Sequence, residues 1–201
     1  MSLLSYSRLL TLLDQGILVG SDSSLVNSAS IDIRLGNKIK VEVAPYKQPK
    51  VSLHSKNPLV MTDFDLEESS YILQPGEFIL ASSLEIFNLP LWLSAEYKLK
   101  SSMARIGLEH LNAGWCDAGW HGSVLTLELK NLTRHHAIEL RAGDKIGQVV
   151  FYEHEPVPHL KSYAARGRYN GDKEVSGVKN DPQCNANSKE EPYSRCSSCE
   201  E

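Results

Sequence analysis

The sequence predicts an all-β-dominated fold, a sandwich or barrel that carries one short N-terminal helix. Three observations support this. Many short segments alternate apolar and polar side chains, as half-buried strands do. Turn-forming residues separate those segments at regular intervals. Helical spacing of apolar residues appears only at the N-terminus, with no internal repeat.

Taken in order, residues 3–15 form the helix, and Gly16 is its stop signal. SASIDIRLG sets Ile31, Ile33 and Leu35 on one side and Asp32 and Arg34 on the other, a half-buried strand. IKVEVAPY follows the same rule. YILQPGEFILASS has strand-like ends around the turn Gln74-Pro75-Gly76-Glu77. LEIFNLP and LWLSAEYKL add short apolar strands. GSVLTLELKN alternates again, with Leu125, Leu127 and Leu129 on one face. RAGDKIGQVVFYEHE turns at Ala142-Gly143-Asp144 and continues as a strand. Regularly spaced short strands of this kind fill sandwiches and barrels.

The chain has 201 residues, room for one domain and a tail. A domain of about 150–170 residues buries about two thirds of its unfolded surface and needs no staples. The net charge of -4 argues against a nucleic-acid coat, yet leaves room for a local basic pocket. Asp14 interrupts the first apolar run, no basic leader precedes it, and no run approaches the ~18 apolar residues of a membrane span. Of the cysteines, Cys184, Cys196 and Cys199 crowd the end and only Cys116 lies in the body, so a reducing cytoplasm is the simplest setting. After about residue 165 the composition turns polar. A domain over 1–177 and a disordered polar tail over 178–201 are therefore expected. The part near Tyr169 is expected to order on a ligand or a neighbouring subunit.

Three segments carry candidate chemistry. KSSMARIGL, residues 100–108, places Ser101 and Arg105 one helical turn apart. It reads either as a capped surface helix or as a cradle for a phosphate, helped by Lys100. NAGWCDAGWHG, residues 112–122, reads as a tight hairpin whose tryptophans either plug the core or bind a ring, with Asp117 as a turn former or a ligand. Glu128 shares a strand face with Val124, Thr126 and Lys130, and is either solvated or aimed into a cleft to move protons. The zinc-deaminase signature H-x-E is absent, and Cys196-x-x-Cys199 sits in the tail. Histidines 54, 110, 121 and 159 are scattered and His135-His136 precede a strand, so none is assigned a catalytic role.

Together these segments resemble the dCTP deaminase family of the dUTPase superfamily. Ser30-Ile-Asp32-Ile-Arg34-Leu-Gly36 looks like the family's opening strand, and KSSMARIGL like its R-S-S-x-A-R-x-G-L signature. AGWCDAGWHG is similar to its A-G-x-I-D-P-G-[FW]-x-G turn, LTLELKN to its L-E-x-x-N strand, and RGRYNGDKEV to its tail. The resemblance spans about residues 1–175. It implies a distorted β-barrel or jelly roll of the dUTPase-like β-clip type, assembled as a homotrimer with sites between subunits. It also implies that dCTP is deaminated to dUTP and ammonia without zinc. Glu128 is then the general acid/base, and Ser101 and Arg105 hold the attacking water and the cytosine C4 region. The backbone at Ala113 reads the base, with Trp120 beside it, and Asp117 lies near the deoxyribose. Lys100, Ser102 and Gln148 take the triphosphate, bridged by Mg²⁺, and Arg168 and Tyr169 reach it from the tail. dUTP or dTTP are further candidate ligands.

This chain departs from the pattern in places. Lys100 replaces the usual Arg, which keeps the charge but loses the fork. The loop GLEHLNAG is one residue short, Asn112 replaces a usual Thr, and Ala118 a common Pro. Asp172 falls where the family often has Gln. Ala113-Gly114-Trp115 with Asp117, and Ile146-Gly147-Gln148, look similar to bifunctional members that form dUMP. A dUTPase is the related alternative, which a Glu at position 128 disfavours. A non-catalytic nucleotide binder is opposed by the intact set Ser101, Arg105 and Glu128.

Overall fold

The computed structural model describes residues 2–44, 46, 50–51 and 59–179. The chain begins with β1 (Ser2–Leu3), α1 (Tyr6–Asp14), β2 (Leu18–Val19) and β3 (Ile31–Glu42). Next come β4 (Met61–Asp65), β5 (Tyr71–Leu73), β6 (Phe78–Asn88) and β7 (Leu93–Leu99). The five-residue helix α2 (Ser101–Arg105) leads into β8 (Leu108–His110), β9 (Trp115–Cys116) and β10 (His121–Asn131). The chain finishes with β11 (Ile138–Leu140), β12 (Lys145–Glu153) and α3 (Tyr163–Arg166). The all-β-dominated expectation holds.

α1 ends as its sequence demands. Gly16 takes φ +70°, and the amides of Gly16 and Ile17 donate back to Leu13 and Leu12, a left-handed stop. Its apolar stripe sends Leu9 and Leu12 into the core, where each is fully buried. Each such leucine contributes about 1.5–3 kcal/mol.

Among the described residues the main sheet runs β8-β10-β6-β3-β12-β7-β9, with β1 added to β12, β2 to β6 and β4 to β3. β5 and β11 pair separately. β3 is the corner of this curl. Its first half pairs with β12 and its second half with β6 and β4. The register with β6 slips between Leu35 and Ile39. Gly36 permits the crossing, because a Cβ there would lie 2.5 Å from Ser82 Oγ and 3.1 Å from the Ser82 and Ser83 carbonyls. The core fills the inside of the curl with Ile31, Ile33, Leu35, Ile79, Phe87, Tyr97, Leu127, Leu129 and Phe151.

Two local expectations need correction, those for β3 and for residues 112–122, and the expected turn at 74–77 forms. β3 is covered on both sides, not one. Asp32 is 5% exposed and accepts from Lys100 Nζ at 2.6 Å and Asn27 Nδ2 at 2.8 Å. Arg34 pairs at 2.8 Å with Glu85, which is fully buried. Alternation marked these residues as polar but did not distinguish solvent from a buried charged partner. The Gln74–Glu77 turn forms, with Gly76 at φ +80° and the Gln74 amide donating to Glu77 Oε2 at 2.7 Å. However, it joins strands of different sheets, since β5 pairs with β11 and β6 with β10, β3 and β2. Residues 112–122 are likewise not a hairpin. β9 pairs with β7 while β10 pairs with β6, so this turn carries the chain from one side of the curl to the other.

Candidate active site

A cavity of about 680 Å³ opens beside the middle of β10. Leu80, Val124, Leu125, Thr126 and Glu128 form its floor. Val124 and Leu125 are adjacent, yet both line it. The register of β10 on β6 slips between Val124 and Thr126, and the Leu125 amide turns aside to donate to Ser83 Oγ at 2.8 Å. A bulge thus re-aims the strand at the site.

One wall is the β9 turn, with Ala113, Trp115, Cys116, Asp117 and Trp120. Asn112 reaches φ 61° as the chain doubles back into it, a conformation asparagine tolerates. Trp115 is half exposed and stacks on Tyr152 at 6.0 Å; its indole N–H donates to Asp117 Oδ1 at 2.8 Å. Trp120 is 6% exposed and lies 5.1 Å from Phe87. It is a core plug whose edge forms part of the cavity wall. Burial, and then the charge of Asp117, push the Cys116 thiol well above its ordinary range.

The roof comes from the chain end. Tyr163, Tyr169, Asp172, Ser176, Gly177 and Val178 close the cavity. This segment packs on its own chain. The Tyr169 carbonyl accepts from Trp120 Nε1 at 2.9 Å and Ser123 Oγ at 3.0 Å. Asn170 Oδ1 accepts from the His121 amide, and the Asp172 carbonyl from the Val124 amide. Arg168 sits over the Tyr169 ring and donates to the Lys179 carbonyl at 3.1 Å.

Three carboxylates line the space, and their surroundings differ. Asp117 is tied to Trp115, and Asp172 to Lys179 and Ser176. Glu128 has a side chain 26% exposed, and its Oε2 is buried without a hydrogen-bond partner. His110 Nε2 stands 3.5 Å away, within reach of a charge interaction but outside hydrogen-bond geometry. Among the described residues, no lysine or arginine lines the cavity, and no cluster of three His, Cys, Asp or Glu is arranged to hold a metal.

The predicted set is therefore divided. Glu128, Ala113, Asp117, Trp120 and Tyr169 share the cavity. Ser101, Ser102 and Arg105 do not line it; α2 forms as expected and leaves all three exposed on the surface. Lys100 is engaged with Asp32, and Gln148 Oε1 accepts from Ser30 Oγ at 3.2 Å. Sequence reasoning missed Tyr163, Leu80 and Cys116 as lining residues. Their positions depend on the curl of the sheet and the path of the chain end, which leave no local pattern.

Comparisons agree with this architecture. Residues 3–154 match the family described as dCTP deaminase-like. A protein of Hydrogenobaculum sp. named "dCTP deaminase, dUMP-forming" is 38% identical over 137 residues, covering 68% of this chain and 73% of that protein. A protein of the same name from Methanoregula boonei is 38% identical over 149 residues, covering 74% and 79%. The crystal structure of a 2'-deoxycytidine 5'-triphosphate deaminase from Agrobacterium tumefaciens superposes with a TM-score of 0.58 at 23% identity. It covers 74% of this chain and 47% of that longer one, and shows a shared fold. Among the described residues no helix is long and apolar enough to cross a membrane. With a family match over three quarters of its length, the chain belongs to the dCTP deaminase-like family.

Proposed function

We propose that this chain removes the 4-amino group of dCTP and carries the product on to dUMP. One observation carries the reading. Of the three carboxylates that line the cavity, Glu128 has an oxygen buried and unpartnered, while Asp117 and Asp172 are hydrogen-bonded. A buried polar atom without a partner costs about 1–3 kcal/mol, a cost that a catalytic task would explain. The relatives named as dUMP-forming deaminases support the second step, so dUMP is preferred over release of dUTP.

The chemistry follows from the carboxylate. Water adds at C4 while Glu128 accepts its proton; the same proton then goes to the departing amine, which leaves as ammonia. Ser101 and Arg105 hold the water and polarise the C4 region. Ala113 reads the base through its backbone, Trp120 and Tyr169 flank the ring, and Asp117 faces the sugar. Lys100, Ser102, Gln148 and Arg168 meet the triphosphate. Mg²⁺ is carried by the phosphates, whose oxygens suit a hard cation, so it needs no protein cage. Water attack on the α-phosphate of dUTP then yields dUMP and pyrophosphate.

The division of the site argues for a trimer. A triphosphate needs cations, and among the described residues no lysine or arginine lines the cavity. The exposed α2 of another copy, with Ser101, Ser102 and Arg105, supplies the missing half. Chromatography of the products from dCTP tests the whole reading. dUMP with pyrophosphate and ammonia is expected. dUTP as the end product would remove the second step, and unchanged dCTP would remove the reading altogether.

A further inference from the structure

Among the described residues four side-chain polar atoms are buried without a hydrogen-bond partner, and two of them, Glu128 Oε2 and His110 Nε2, lie 3.5 Å apart. The histidine was given no role on sequence grounds, because nothing near it in the chain suggests one. In the fold it is 4% exposed, and its Nε2 lies 3.5 Å from Glu128 Oε2. A buried polar atom without a partner costs about 1–3 kcal/mol. Two such atoms facing each other are a pair that has not yet closed. A shift of about half an ångström would bring them into the ordinary range of about 2.7–3.2 Å.

We propose that His110 is a positioning residue for Glu128: an imidazole whose Nε2–H holds Oε2, so that the other carboxylate oxygen is presented to the cavity. This rests on the deaminase reading above and adds a residue to it. The proton being moved never passes through His110. The imidazole fixes the rotation of the carboxylate during both proton transfers, where small misplacement is costly.

The surroundings support a fixed ring. β8 pairs with β10 so that His110 lies opposite Leu129, one residue from Glu128. The next amide, Leu111, donates to the Glu128 carbonyl at 3.1 Å. On its other side the imidazole meets Tyr97, with ring centroids 4.7 Å apart and planes at 59°. Tyr97 is held in turn by Gly147, since a Cβ at 147 would lie 2.0–2.3 Å from the phenol ring and its oxygen. Tyr97 is therefore a plate that sets the imidazole plane, and the imidazole sets the carboxylate.

Two substitutions separate the hydrogen bond from the packing. His110→Gln keeps an N–H donor at about the reach of Nε2 but loses the ring. His110→Phe keeps a ring against Tyr97 but loses the donor. With dCTP as substrate, His110→Phe is expected to lower kcat by about tenfold or more, with KM within about threefold of the parent. His110→Gln is expected to retain most of kcat. The reverse order, Phe active and Gln impaired, overturns the proposal, as does parental kcat in both. A parent that does not deaminate dCTP defeats the deaminase reading instead, and this shows before any variant is made. If neither variant folds, ¹⁵N spectra of the parent's histidines decide. A proton on Nε2 of His110 at neutral pH supports the proposal, and a bare Nε2 overturns it.

Discussion

Lys179 reaches both carboxylate oxygens of Asp172, at 2.5 and 2.7 Å. Asp172 lines the cavity, and its carbonyl holds the first turn of β10 through the Val124 amide. The Lys179 ammonium also lies 5.3 Å from the centre of the Tyr169 ring. The last described lysine therefore braces the roof segment internally, while the Asp172 carbonyl ties that segment to β10. Deletion of 180–201, which lies outside the described residues, should leave nucleotide binding near the parent value, given its polar composition. Deletion from 178 removes the lysine and should weaken binding by several-fold, since a partly exposed pair contributes about 1 kcal/mol or less. Isothermal titration with a non-hydrolysable dCTP analogue checks both. Equal affinity in the two truncations would show that the clasp is idle.

Much of this was visible in the sequence, for physical reasons that can be traced to particular residues. Alternation exposed β3, β10 and β12 because a strand has a period of two. Gly16 marked the end of α1 because a left-handed residue suits glycine. Glu128 stood out as a charge on a strand between leucines, but its position alone left it solvated or cleft-facing, and its role came from the family resemblance. The rest depended on distant pairing. Nothing local says that β5 pairs with β11, that the turn at 117–120 crosses from one side of the curl to the other, or that β8 sets His110 against Glu128. The exposure of Arg105, far from obvious in an isolated signature, follows from α2 lying outside the curl. Asp32 looked solvated because its partner Lys100 is remote in the chain.

Asp32 gives a prediction with a definite sign. Burial pushes its carboxyl up, but hydrogen bonds from Lys100 and Asn27, then the charges of Lys100 and Lys145, outweigh this and hold it below the usual range. A depressed folded value stabilises fully above the unfolded value of about 3.9 and loses that contribution as pH falls through the folded one. Asp32→Asn should therefore cost about 1–3 kcal/mol at neutral pH, because Lys100 loses its charged partner. The gap to the parent should narrow as the solution is acidified towards pH 3. Denaturant unfolding at fixed protein concentration measures it. A gap constant with pH would mean that the amide, not the lost charge, is responsible.

Glu128→Gln isolates the proton-transfer step. The amide keeps the size and the polarity of the carboxylate but cannot accept the proton of water. The value of kcat for dCTP should fall by at least about 10²-fold, with folding and nucleotide affinity largely retained. A merely half-exposed surface glutamate would cost less than about 0.5 kcal/mol and leave turnover intact. Ammonia release is the direct readout. A Glu128→Gln protein that releases ammonia from dCTP at the parent rate would end the acid/base assignment.

The separation of Arg105 from Glu128 makes a stronger prediction than either single substitution. If one copy supplies α2 and another supplies β10, each site draws on two chains. Arg105→Ala damages the first half and Glu128→Gln the second, so each variant alone should be nearly inactive. In a random mixture of the two within trimers, a site pairs an intact Glu128 with an intact Arg105 about one time in four. Isolation of doubly tagged assemblies after co-expression with different tags discards the unmixed trimers and leaves one intact site in three, so about a third of parental turnover should be restored. If both residues acted from the same chain, every site in the mixture would carry one lesion and nothing would be restored. Light scattering on the same sample gives the number of chains. Recovery of activity in a trimer would place the site between subunits, absence of recovery would place both residues on one chain, and an Arg105→Ala variant active by itself would return Arg105 to a surface role.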